Sequence, residues 1–130
     1  MRRQYHARKV GGDRLIWDGH RLIRLSKPLT VAPVPLSEIS EIDENWWYED
    51  PNNLPTPRSL AAHMALARST DPAHPILLCA DGRLMDGMHG VVKALLEDRT
   101  QVLAVRFPVT PDPDYINASL DDLPYSDEAL

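Results

Sequence analysis

The residues best equipped for chemistry are Asp86, Gly87, Met88, His89 and Gly90, inside the run PILLCADGRLMDGMHGVVKA at residues 75–94. A carboxylate can hold Mg²⁺ between phosphate oxygens or take a proton from a hydroxyl. An imidazole can donate to a phosphate oxygen or, once charged, neutralise it. Glycine lets a ligand approach the backbone closely, or supplies a turn that needs positive φ. Asp86 also reads as a helix cap. Lys93, one turn beyond His89 on the expected helix, reaches the same face.

These side chains need elements to place them. Pro75–Ala80 is continuously apolar and reads as a strand buried on both faces. Asp81-Gly82 signals a hairpin turn into a short returning strand, Arg83–Met85. A helix is expected from about Gly87 to Glu97, with Val91, Val92, Leu95 and Leu96 on its apolar side. Its first amides have no intrahelical acceptor and sit at the positive end of the helix dipole, so the corner is built to attract an anion.

Around it, residues 1–12 read as a loose arm ending in Gly11-Gly12. Asp18 is expected to cap a short helix bearing Leu22, Ile23 and Leu25, stopped at Lys27-Pro28. Thr30–Pro35 is extended, and Pro33 and Pro35 confine it to an edge. Leu36, Ile39 and Ile42 face inward from a turn. The loop Asn45–Pro57 carries Trp46, Trp47 and Tyr48, which fit either a lid or interface or rings pinned against the body. A helix from Pro57 to about Ser69 shows a Leu60, Met64, Ala67 stripe. Arg58 at its start opposes the helix dipole, a conflict that a bound anion or carboxylate would relieve. Gln101–Phe107 is a further strand, and beyond Pro108 an acidic, proline-rich tail is expected to be extended with its last residues disordered.

Composition sets the outer bounds. The chain has 130 residues, 43% hydrophobic and 25% charged, with net charge −5; this fits one soluble α+β domain. It divides into 1–30 (arm and short helix), 31–108 (core) and 109–130 (tail). The acidity argues against nucleic acid as a partner despite a basic first stretch. No apolar run reaches the roughly 20 residues that cross a bilayer, and no secretory signal is seen. One cysteine, Cys79, rules out an internal disulfide framework and agrees with a cytoplasmic location; its apolar surroundings favour a buried thiol. Zinc-type ligand spacing, a Walker motif and a dinucleotide fingerprint are all missing. Ser59 and His63, four apart on one helix, lack a third group to orient them as a nucleophile–base pair.

Helix, buried strand, Asp-Gly hairpin, Gly-x-His helix start and another strand: over Val34–Phe107 this order resembles the ParB/sulfiredoxin superfamily. Its most specific part is Pro75-Ile76-Leu77, Asp81-Gly82 and Met85-Asp86-Gly87-Met88-His89. The resemblance implies a single compact domain with a small mixed sheet flanked by helices. It also implies a nucleotide site for ATP, ADP or CTP, or another phosphorylated small molecule, with Mg²⁺ admitted at Asp86. Asp86 and His89 would be catalytic, with Gly87, Met88, His89, Gly90, Lys93 and Arg58 binding. By likeness to the free serine kinase of this group, Asp43 or Glu44 would act as acid or base, next to Trp46-Trp47.

The expected activity is ATP- or ADP-dependent phosphoryl transfer or nucleotide hydrolysis. Two departures bear on it. Met88 stands where sulfiredoxin has its reactive cysteine, which argues against sulfinic acid reduction. Gly90 stands where the motif has arginine, a phosphate clamp for which Lys93, Arg83 or Arg58 would have to substitute. After Phe107 no helix-turn-helix is expected, so a whole partition protein is not implied. The alternative is a non-catalytic regulatory module that docks a protein through Trp46, Trp47 and Tyr48.

Overall fold

The structure, a computed structural model, describes residues 5–119 and 122–123. It is α+β, with two sheets and three α-helices among the described residues. The larger sheet is mixed and runs β3-β6-β4-β5, from β3 (Ala32–Pro35), β4 (Ile76–Leu78), β5 (Leu84–Asp86) and β6 (Gln101–Arg106). β4 lies parallel to β6, while β3 and β5 run antiparallel to their neighbours. β3 is an edge, the position to which its two prolines confine it.

Alternation along the central strands divides the core between the two faces of this sheet. Ile76, Leu78, Leu84 and Ala104 pack with Leu36, Ile39, Met88, Val91 and Ala94. These bring in α3 (Met88–Leu96) and the 3₁₀ turns Leu36–Glu38 and Ser40–Asp43. Leu77, Cys79, Met85, Val105 and Phe107 pack on the other side against Trp17 and Leu22. Leu22 belongs to α1 (Gly19–Ser26), whose cap is Asp18: its carboxylate accepts from the His20 amide at 2.9 Å.

Helix α2 (Pro57–Ser69) lies outermost, on α3. Thr56 caps it by accepting from the Ser59 amide, and Pro57 occupies its first turn. Only Ala67 of this helix is buried, while Leu60 and Leu66 are 42% and 51% exposed.

The ends of the chain depart from the expectation. From Tyr5 onward the arm is a strand, β1 (Tyr5–Val10), in register with β2 (Asp13–Asp18) across the two-residue Gly11-Gly12 turn. Basic residues that read as a solvated arm are instead one edge of a hairpin. The tail contributes β7 (Tyr115–Ile116) to the opposite side of β2, so the second sheet is ordered β1-β2-β7. Asp114 accepts from the Asp18 amide at 2.8 Å and pairs with Arg21 at 3.2 Å, and the Trp17 indole donates to the Pro111 carbonyl at 2.8 Å. Strands at 5–10, 13–18 and 115–116 therefore share one sheet, which joins described parts of the first and last stretches of the chain. The expected disorder of the final residues falls mostly outside the described residues.

Candidate functional site

Strand β5 delivers the chain to α3 through Gly87, which has φ of +105°. A Cβ there would lie 2.8 Å from Ile76 Cγ2 and 3.1 Å from Ile76 Cα. The glycine is thus required by a left-handed turn pressed on β4, and the space that could have admitted a ligand is filled by Ile76. Met88 likewise turns into the core at 6% exposure, so its thioether cannot line a site and only its amide can. Asp86 does not cap the helix, since the N-cap position is Gly87 and no side chain caps it. The turn is one of the two roles expected for Gly87; the side chain of Met88 as a binding group and Asp86 as the helix cap are the expectations corrected here.

The anion-attracting geometry itself is present. The amides of Met88, His89 and Gly90 meet no acceptor among the described residues; the first helical bond is donated by Val91 to the Gly87 carbonyl. Asp86 is half-buried, and alternation puts it on the sheet face of Leu84, the face that α3 covers. Burial pushes its carboxyl up to about 6, and among the described residues it has no hydrogen-bond or ion-pair partner. A group titrating that close to neutrality can stand beside an anion without full repulsion.

Gly90 and Lys93 border a cleft of about 490 Å³ between α3, the 71–74 loop and the first residues of β6, with His74 and Arg99 also on its wall. The Lys93 ammonium donates to the Arg68 carbonyl at 2.8 Å and lies 3.8 Å from Glu97.

His89 is held from three sides. Its Nε2 is 2.9 Å from His63 Nδ1 on α2. The Trp47 ring stacks on His63 at 4.0 Å between centroids and on His89 at 5.1 Å. Tyr48 meets His63 edge-on, and its hydroxyl is 2.8 Å from the Ser59 hydroxyl. Burial lowers the pKa of both imidazoles, and in His89 the neighbouring His63 lowers it further. Trp46 stacks on His6, which in turn stacks on Trp17. The aromatic loop is therefore pinned to the body, one of its two expected arrangements.

The remaining candidates make no hydrogen bond or ion pair with His63 or His89 among the described residues. Asp43 and Glu44 are exposed, and Glu44 accepts from Arg83 at 3.0 Å beside the β4–β5 hairpin. The acid the fold uses in this segment is Glu41, 2% exposed, which accepts from the Leu84 amide at 3.0 Å with Arg83 Nε 3.8 Å away. Arg83 is thus committed to carboxylates rather than to a phosphate. Arg58 is exposed and pairs with no acid among the described residues.

Cys79 is buried, as its apolar run implies. Burial raises its thiol pKa, but Arg8 Nη1, donating to Sγ at 3.6 Å, and the Arg83 and Asp81 amides outweigh that and lower it. For Mg²⁺ the fit is partial. Among the described residues no three His, Cys, Asp or Glu side chains converge, so Asp86 could supply one oxygen and ligand phosphates or water the rest.

Sequence reasoning missed the His63–His89 pair. The two are 26 positions apart, and only the packing of two separately predicted helices brings them together. No family model, curated protein or solved structure matches this chain. Among the described residues no helix is long and apolar enough to cross a membrane.

Proposed function

We propose that this chain is a phosphate- or nucleotide-binding module of ParB/sulfiredoxin-like type, working in the cytoplasm. Its ligand is ATP, ADP, CTP or another phosphorylated small molecule. The observation that carries the reading is the row of three acceptor-free amides, Met88, His89 and Gly90, at the positive end of a nine-residue helix. The imidazole of His89 flanks them and the cleft beside Gly90 and Lys93 gives room for the rest of the ligand. His89 donates to a phosphate oxygen. Asp86 holds a bridging Mg²⁺ or accepts a hydroxyl proton, which would make phosphoryl transfer or nucleotide hydrolysis the reaction class. Asp43 and Glu44 have no part in it, being turned to solvent and to Arg83.

Thermal shift with ATP, ADP, CTP, GTP and inorganic phosphate, with and without Mg²⁺, tests this directly. A ligand at a hundred times its Kd stabilises by about 2.7 kcal/mol, about 10 °C for a chain of this size. The expected result is a ligand-specific shift that His89→Ala removes. Gly90→Arg should tighten it, because a Cβ at Gly90 meets only Thr70 Cγ2 at 3.6 Å and Ile76 Cγ2 at 3.9 Å, leaving room for the side chain. Flat melting curves with every compound at millimolar concentration would overturn the reading. They would favour instead a protein-docking module, for which the observation is α2: its Leu60 and Leu66 stay uncovered.

A further inference from the structure

Two imidazoles from different helices are joined by a single N–H···N hydrogen bond. His63 Nδ1 on α2 and His89 Nε2 on α3 lie 2.9 Å apart, and the ring planes differ by 21°. Among the described residues neither ring makes another hydrogen bond or ion pair. His89 Nε2 is therefore committed. The nitrogen left to meet a ligand is Nδ1, the one nearer its own main chain and so nearer the free amides of α3. Resting on the anion reading above, we propose that His63 is the positioning residue of that site. It donates Nδ1–H to His89 and so holds His89 as the tautomer with its own proton on Nδ1, a neutral donor for a phosphate oxygen.

Proton counting leads to this arrangement. Two neutral imidazoles carry two ring protons over four nitrogens. One lies between the facing nitrogens, and its owner decides where the other can be. If His63 owns it, His89 keeps its proton on Nδ1 and offers the anion an N–H. If His89 owns it, Nδ1 is a bare lone pair that repels a phosphate oxygen, and His63 holds its proton on Nε2 instead. The nitrogen that a histidine protonates is set by the bond its other nitrogen makes. An anion at the amides favours the first arrangement, so binding and tautomer are linked. Both rings work as neutral groups: burial lowers the pKa of each, and His63 lowers that of His89 further.

The bond holds only while neither ring turns over, since a flip about Cβ–Cγ would put a carbon where each bonding nitrogen stands. Trp47 restrains both rings. Its indole lies on His63 at 4.0 Å, 13° from parallel, and on His89 at 5.1 Å. Tyr48 meets His63 edge-on, and its hydroxyl is tied at 2.8 Å to that of Ser59, one turn earlier on α2.

The test uses the ¹⁵N-labelled full chain at pH 8, where free imidazoles are neutral. Inorganic phosphate and ADP are the probes, each with and without Mg²⁺. Imidazole ¹⁵N shifts, and the coupling across the N–H···N bond, report which nitrogen holds each proton. In the bound state both Nδ1 atoms should be protonated and both Nε2 atoms bare. His63→Leu, which removes the donor, should weaken binding about tenfold or more, while His63→Asn, whose amide nitrogen falls where Nδ1 stood, should stay within about threefold of wild type. Should His63→Leu fail to fold by circular dichroism, the wild-type shifts decide. A His89 proton found on Nε2 in the bound state, or a folded Leu variant that binds like wild type, overturns the inference and leaves the anion site standing. A wild-type chain that shows the N–H···N coupling yet binds neither probe overturns the anion reading, and the role of His63 falls with it.

Discussion

Gly87 and Gly90 are the same residue three positions apart, and alanine at each should act with opposite sign. At Gly90 the backbone is helical and a Cβ makes ordinary contacts at 3.6 and 3.9 Å. Replacing a helical glycine with alanine stabilises by about 0.5–1 kcal/mol. At Gly87 the alanine meets two penalties. A φ of +105° strains an L-residue by about 1–3 kcal/mol. The 2.8 Å approach to Ile76 Cγ2 and 3.1 Å approach to its Cα add an overpacking cost of about 1–3 kcal/mol. Ile76 Cα is backbone at the first position of the parallel pair β4–β6, opposite Ala104, and cannot give way cheaply.

The unfolding entropy of a chain of 130 residues is about 0.27 kcal/mol per K near its midpoint. Gly90→Ala should therefore raise the Tm by about 2–4 °C and Gly87→Ala lower it by about 7 °C or more. Calorimetry in nucleotide-free buffer reads both. A Gly87→Ala chain melting with the wild type would refute the argument that Ile76 dictates this glycine and would reopen close ligand approach as its reason. A Gly90→Ala chain that is less stable would mean that the first turn of α3 is not the open helical surface described.

Other substitutions probe the charged and hydrogen-bonded groups. Asp86 has its folded pKa raised to about 6, so the folded state holds the proton more tightly. Its contribution is present at low pH and is lost as pH rises from about 4 to 6. Asp86→Asn should consequently stabilise the protein at pH 7 by up to about 3 kcal/mol and make no difference near pH 4, as read from paired urea melts. His6 has the opposite sense: burial first, then Arg8 and Arg83, lower its pKa to about 3, so stability is complete above 6.5 and falls as pH drops through that window. His6→Gln should flatten the acid limb of the pH–stability curve, and an unchanged limb would place the acid-sensitive group elsewhere. Glu41→Ala strips the acceptor from the buried Leu84 amide and should cost about 1–3 kcal/mol. Glu41→Gln should recover most of it, because an amide oxygen can still accept.

Where a segment announced itself by local chemistry, sequence and structure agree. Asp18 before an apolar helix, Pro57 at a helix start, the Asp81-Gly82 turn, the prolines of β3 and the continuous apolar run of β4 all act within a few residues of themselves. What depends on distant partners was hidden. Tyr-His-Ala-Arg-Lys-Val looks like a charged arm until β2 is beside it, and Tyr115–Ile116 looks like tail until β2 offers its other edge.

The site divides the same way. The helix start and its free amides followed from Asp-Gly-x-His. The burial of Met88, the pressure of Ile76 on Gly87 and the meeting of His63 with His89 are tertiary facts with no local signature. Glu41 was one acid among four in its segment, and nothing in the spacing marked it as the one that turns inward to a strand amide.

The sheet that joins β1 to β7 also sets a timetable. Asp18 and Asp114, whose backbone and carboxylate meet there, are separated by 96 positions. A ribosome adding about 5–20 residues per second leaves the first hairpin with one flank bare for about 5–20 s. Through that interval the indole of Trp17 lacks the Pro111 carbonyl and the β2 edge lacks its closing strand. Closure by such remote pieces slows folding, so a nascent chain of this protein stays open to proteases and to stray strand pairing at the β2 edge until the segment from Pro111 to Ile116 arrives.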